Sequence, residues 1–93
     1  MTNLQIEVEG ARPVAAECDA THLSITLMDG RALRAPLWWY PRLLAASPSA
    51  RQHIEFMPMG LHWPDIDEDI SIASVLRGQK VPGAVQAAPV PAR

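Results

Sequence analysis

Two runs of apolar residues flank Asp29-Gly30, and every member stands at an odd position: Leu23, Ile25 and Leu27 before the dipeptide, Leu33, Ala35 and Leu37 after it. Alternation of this kind marks a half-buried strand, and Asp-Gly between two such runs marks a hairpin. The parity constrains the register. A two-residue loop at Asp29-Gly30 would pair odd with even positions and send the two apolar sets to opposite faces of the sheet. A three-residue loop, Met28-Asp29-Gly30, pairs Ile25 with Leu33 and Leu23 with Ala35 and lets Gly30 take a left-handed bulge conformation. We therefore expect the longer loop. Pro36 has no N–H to give to a ladder, so the second arm is an edge or ends there.

The flanking segments have weaker but readable patterns. Leu4, Ile6 and Val8 alternate with Gln5, Glu7 and Glu9, which predicts an N-terminal strand; Gly10 and Pro13 interrupt it, and residues 14–18 read as a second extended segment. Asp19-Ala20-Thr21 is a turn. Pro41 opens a short helix through Leu44. Ser47-Pro48, a capping serine followed by proline in the first turn, opens another helix running to about Glu55, with Ala50 and Ile54 one turn apart. Met57-Pro58-Met59-Gly60 breaks it. Leu61-His62-Trp63 is expected to be the last strand, stopped by Pro64 and joined to the sheet that holds the hairpin. Ser71 caps a final helix in which Ile72, Val75 and Leu76 follow the i, i+3, i+4 rule; Asp69 favours its dipole and Gly78 stops it.

Beyond Gln79 the residues are mainly Pro, Ala, Val and Gly without a periodic apolar face, which predicts a flexible tail. The expected organisation is one α+β domain over 1–78, a small two-layer unit whose antiparallel sheet is covered by two or three short helices, and a tail over 79–93. A chain of 93 residues buries about 60 to 65% of its unfolded surface, so few large side chains carry its core. The candidates are Leu23, Ile25, Leu27, Leu33, Leu37, Trp38, Trp39, Ile54, Trp63, Ile66, Ile70, Ile72, Val75 and Leu76.

A net charge of −2 supplies no bulk attraction for a nucleic-acid backbone. One cysteine, Cys18, forms no internal disulfide, and no Cys/His spacing suggests zinc. No basic leader precedes an apolar run, and no stretch approaches the roughly 20 apolar residues of a membrane span. A cytoplasmic protein without a cofactor is the expectation.

The charges are unevenly placed. Arg31, Arg34, Arg42 and Arg51 lie mid-chain, whereas Asp65, Asp67, Glu68 and Asp69 crowd one turn. Asp65-Ile66-Asp67-Glu68-Asp69 begins like a calcium loop, but Ile70 and Leu76 stand where the glycine and the closing glutamate are needed, which excludes an EF-hand. In a strand, His62 and Trp63 point to opposite faces, so burying Trp63 leaves His62 at the surface. Consecutive aromatics in an extended segment cannot all face one core, so at least one of Trp38 and Trp39 belongs near a surface.

Taken together, Leu23, Asp29-Gly30-Arg31, Pro36-Leu37, Pro41-Arg42-Leu43, Ala46, Arg51, Gly60, His62-Trp63-Pro64, Asp67-Glu68-Asp69-Ile70-Ser71 and Leu76 to Gly78 resemble the bacterial domain of unknown function 2442 family. The resemblance spans roughly residues 14–78, and Trp-Pro followed by Asp-Glu-Asp-Ile is its most specific part. It implies a small two-layer α+β fold without an assigned activity. It also implies a small partner protein of another uncharacterised family, in an arrangement like a toxin and antitoxin pair. Some relatives carry a helix-turn-helix downstream; here a Pro/Ala stretch follows Gly78, so no DNA-binding role carries over.

The expected function is a noncatalytic protein-interaction module, antitoxin-like or regulatory. Arg31, Arg34, Arg42 and Arg51 with Trp38 and Trp39 are expected to form one contact region, tryptophan and arginine being the types that dominate interfaces. Asp65, Asp67, Glu68 and Asp69, with His62, form a second region or a structural counter-charge. One alternative is a small metal-assisted or acid/base enzyme centred on His62 and the acidic turn. Another is nucleic-acid binding through the arginines, against which the net acidity counts. Homo-oligomerisation is left open.

Overall fold

The hairpin adopts the register that its parity demands. In the computed structural model, which describes residues 10–86, β2 (His22–Leu27) pairs antiparallel with β3 (Ala32–Pro36), setting Leu23 against Ala35 and Ile25 against Leu33. The Leu27 N–H donates to Arg31 C=O at 2.8 Å and the Gly30 N–H to Leu27 C=O at 2.9 Å, closing the three-residue loop with Gly30 at φ +94°. β1 (Pro13–Cys18) pairs with the other side of β2, so Pro36 ends an outer strand where its missing N–H costs nothing. The strand predicted at residues 4–9 lies outside the described residues.

After β3 the chain makes a 3-10 turn at Leu37–Trp39 and two five-residue helices, α1 (Pro41–Ala45) and α2 (Pro48–Gln52). Both helices open on proline. The Ser47 hydroxyl accepts from the Ala50 N–H at 3.1 Å, the cap that Ser-Pro promised.

α2 nevertheless stops at Gln52 instead of continuing to Glu55. In a longer helix the Arg51 carbonyl would accept from the Glu55 N–H; here it accepts from the Trp63 indole N–H at 2.9 Å. Glu55–Met57 instead forms β4, joined through the tight turn at Pro58-Met59 to β5 (Gly60–Trp63).

β5 is neither the last strand nor part of the first sheet. Residues Glu68–Ser71, expected to be turn and helix entry, form β6, and β4-β5-β6 make a second three-stranded antiparallel sheet beside β1-β2-β3. The alternation of buried Glu68, Ile70 and Ile72 with exposed Asp69 and Ser71 is a strand pattern. Ser71 then caps α3 (Ile72–Leu76), its hydroxyl accepting from the Ser74 N–H at 3.1 Å, and Gly78 ends the helix at φ +71°.

The core lies between the two sheets and the short helices. Leu23, Ile25, Leu27, Leu37, Trp63, Ile70, Ile72 and Val75 are buried as expected, and Leu33, Trp39, Ile54 and Ile66 pack against them partly covered. Leu76, expected inside, is 49% exposed on the outer face of α3, and Trp38 is half-buried outside the core cluster. Tyr40, Leu43 and Leu61 are core residues that the periodicity did not single out. Past α3, the Val81 N–H donates to the Trp39 carbonyl at 3.0 Å and Val81 packs against the core. No helix among the described residues is long and apolar enough to cross a membrane.

Candidate interaction surface

The second sheet buries one face and presents the other to solvent. Leu61, Trp63, Glu68 and Ile70 are buried on the inner face. Register places Glu55, His62 and Asp69 side by side across β4, β5 and β6 on the outer face, with Met57 and Ser71 beside them. His62 Nδ1 lies 2.6 Å from Asp69 Oδ1. That hydrogen bond first, and the nearby charges of Asp69, Glu55 and Asp67, raise the His62 pKa above its ordinary value. A protonated imidazole flanked by carboxylates is thus favoured on this face.

Trp63 buries completely, so the expectation that His62 reaches the surface holds: a quarter of its side chain remains exposed.

The acidic turn divides among different partners. The Arg42 guanidinium donates to the Asp67 carbonyl at 2.8 Å and to the Ile66 carbonyl at 3.4 Å, and lies 3.8 Å from Glu68 Oε1. It thereby ties α1 to the β5–β6 loop, in which Asp67 sits at φ 53°, a conformation that Asp tolerates better than most residues. Asp65 pairs with His53, Oδ1 to Nδ1 at 3.2 Å.

Glu68 is turned inward. Burial pushes its carboxyl pKa up, offset by Arg42, with the charges of Asp69 and Asp67 adding to the rise. Nearby, burial and the Glu68 charge push the Tyr40 phenol up to about 12.

The arginines likewise have separate duties. Arg31 Nε bonds Asp29 Oδ2 at 2.9 Å within the hairpin loop. Arg51 donates from Nε to the Leu43 carbonyl at 3.0 Å and from Nη2 to the Leu44 carbonyl at 3.1 Å, locking α2 against α1. Arg34 stands exposed on β3. Trp39 meets Tyr40 edge-on at 6.2 Å, and Lys80 Nζ covers the Trp39 ring at 4.7 Å and the Trp38 ring at 5.8 Å. Arg31, Arg42 and Arg51 are thus held by different internal partners, and the arginines and tryptophans do not form one bonded cluster.

The residues missing from the sequence reading are Glu55 and Met57. By sequence, Glu55 falls at the end of the second helix and Met57 in the break that follows it, and Glu55-Phe56-Met57 carries no alternating pattern. Among the described residues, no three His, Cys, Asp or Glu side chains converge in a group that could hold a metal ion.

Fold and surface define a small α+β domain of two antiparallel sheets, one with an acidic outer face. The chain belongs to the DUF2442 family, described as protein of unknown function, whose model matches residues 13–81. A protein of unknown function from Rhodospirillum rubrum ATCC 11170, known from a crystal structure, is similar in fold and sequence: 25% identity and a TM-score of 0.68, covering 78% of this chain and 93% of that one. In the comparison with curated proteins nothing matches.

Proposed function

We propose that this domain is a noncatalytic protein-interaction module that binds a small partner protein through the outer face of the β4-β5-β6 sheet. The observation that supports this most is the row Glu55–His62–Asp69, with the exposed Met57 at its edge and no lysine or arginine anywhere in the three strands. An acidic face with an adaptable thioether complements a basic partner surface containing a shallow apolar pocket. In this reading the domain recruits or neutralises its partner as the antitoxin-like or regulatory member of a two-protein system, the arrangement that the family resemblance implies.

The test compares the tagged full chain with a Glu55→Gln, Asp69→Asn double variant and with Met57→Ser, by capture from the source organism followed by titration with the purified partner. One stoichiometric basic protein, bound at least ten-fold more weakly by the double variant and more weakly as salt rises, is expected. Equal affinity for wild type and double variant, or a loss seen only when Arg34 and Trp38 are changed, would move the contact to another face.

A further inference from the structure

The outer strand β6 and the segment that follows α3 enclose a hollow. The segment is tied down at two points: the Gln79 N–H donates to the Ser74 carbonyl at 2.9 Å and the Val81 N–H to the Trp39 carbonyl at 3.0 Å. Between it and β6 lies a space of about 330 Å³, open to solvent. Ile70, Val81 and Pro82 give it apolar walls, and two buried polar residues, Tyr40 and Glu68, line it as well.

Those two side chains are left unfinished by the fold. Tyr40 is 2% exposed, and its hydroxyl has no hydrogen-bond partner among the described residues. Glu68 is 9% exposed, and its carboxylate takes no hydrogen bond from the described residues. Arg42 stands 3.8 Å away and is engaged on the Ile66 and Asp67 carbonyls. Buried polar groups in folded proteins are almost always paired, and a carboxylate without a donor is the costlier omission. Two such groups lining one hollow point to a ligand that completes them.

The atoms around the hollow specify that ligand as a cationic donor. An ionised carboxylate only accepts. The Ser74 hydroxyl already donates to the Ser71 carbonyl at 2.7 Å, which leaves its lone pairs free, and Asp69 adds a second negative charge at the rim. Lys80 also lines the hollow, but its Nζ rests over the Trp39 ring at 4.7 Å and pairs with neither acid. A neutral donor would leave the Glu68 charge uncompensated, whereas a cation removes it. Guanidinium is weakly hydrated and planar, and its fork of N–H groups matches a carboxylate with donors to spare for a phenol or hydroxyl oxygen.

We propose that this hollow binds an alkyl-guanidinium group, its fork on the Glu68 carboxylate and its stem against Ile70, Val81 and Pro82. The group belongs to a free small molecule or to an arginine side chain of a bound protein, and the chemistry of recognition is the same for both. The site does not use Glu55 or His62, so it stands or falls apart from the interaction face.

The isotope-labelled full chain tests this by NMR titration with n-butylguanidinium, n-butylammonium and N-acetyl-arginine methylamide at constant ionic strength. Saturable amide shifts centred on Glu68, Ile70, Ser74 and Val81 are expected, with n-butylguanidinium bound more tightly than n-butylammonium. Blocked arginine binding as well as n-butylguanidinium assigns the group to a protein side chain; n-butylguanidinium binding alone assigns it to a free molecule.

Glu68→Gln keeps the size of the side chain and removes its charge, and should bind n-butylguanidinium about ten-fold more weakly. Lys80→Gln removes a like charge from the mouth and should bind it more tightly. Glu17→Gln, a charge removed from β1, should bind as wild type does. Equal binding by wild type and Glu68→Gln, equal affinity for the two butyl cations, or shifts centred on Glu55 and His62 each overturn the proposal. So does the absence of any saturable shift, the result for a hollow that holds ordered water only.

Discussion

His62 Nδ1 and Asp69 Oδ1 meet at 2.6 Å across neighbouring strands, on the face of the sheet that water reaches. The contact raises the His62 pKa, so the folded state holds its proton more tightly than the unfolded chain does. Its stabilising contribution is fully present below about pH 6.5, the ordinary histidine value, and is lost as pH rises through the folded value. Asp69→Asn should therefore lower the urea midpoint more at pH 5.5 than at pH 9, and the His62 ring titration followed by NMR should move down towards 6.5. The same urea difference at both pH values would show that the pair carries no proton linkage.

Arg42 acts on the opposite side of that loop. Its guanidinium holds the Asp67 and Ile66 carbonyls and is the cation nearest the inward-turned Glu68. Because the Arg42 side chain is itself largely exposed, Arg42→Ala should cost only about 1 kcal/mol at neutral pH.

Glu68 has the opposite sign from a usual salt-bridged acid. Its folded pKa is raised, so its contribution favours the fold below about pH 4.5 and is lost as pH rises through the folded value. Glu68→Gln should unfold at higher urea than wild type at pH 7, with the gap closing below pH 4.5. A less stable variant at pH 7 would mean that the Arg42 contact outweighs the burial of the charge.

How far the chain could be read before its structure depended on which force decided each segment. The 23–37 hairpin, the Ser47 and Ser71 caps and the stop at Gly78 are set by local rules of parity and capping, and the structure follows them. β4 was illegible because Pro48-Ser49-Ala50-Arg51-Gln52 begins as a good helix, and what ends it is a hydrogen bond from Trp63, eleven residues further on from Gln52. β6 was misread for another reason. Asp67-Glu68-Asp69 looks like a solvated turn by composition, while the alternation of Glu68, Ile70 and Ile72 marks a strand, and here period outranks charge. The Glu55–His62–Asp69 row needs both strands in place, so it could not be seen until they were.

Cys18 offers a check on the interior at the end of β1. It is buried, and desolvation pushes its thiol up to about 11, with Asp19 adding and Arg51 opposing. The thiolate is the reactive form, so alkylation by iodoacetamide at pH 8 should run about 100-fold slower than for a cysteine of ordinary pKa. It should reach the ordinary rate in denaturant. Rapid labelling of the native protein would show that Cys18 is open to solvent.

Gly60 is required by a close backbone approach and Gly30 by its own positive φ, and their alanine variants should separate the two. At Gly60 a Cβ would stand 2.6 Å from the Ile70 carbonyl oxygen and 3.2 Å from the Ser71 Cα. Both are backbone atoms of β6, the strand that Gly60 is paired with, so relief requires opening the ladder rather than turning a side chain. Gly60→Ala should cost about 3 kcal/mol, the upper end of overpacking penalties. At Gly30 a Cβ would meet nothing within 4 Å, but φ is +94°, so Gly30→Ala is strained only by its own backbone and should cost about 1 to 2 kcal/mol. Urea denaturation of the two variants measures both. If Gly60→Ala proves the milder of the two, the close approach of β5 to β6 at this point is not what holds the second sheet together.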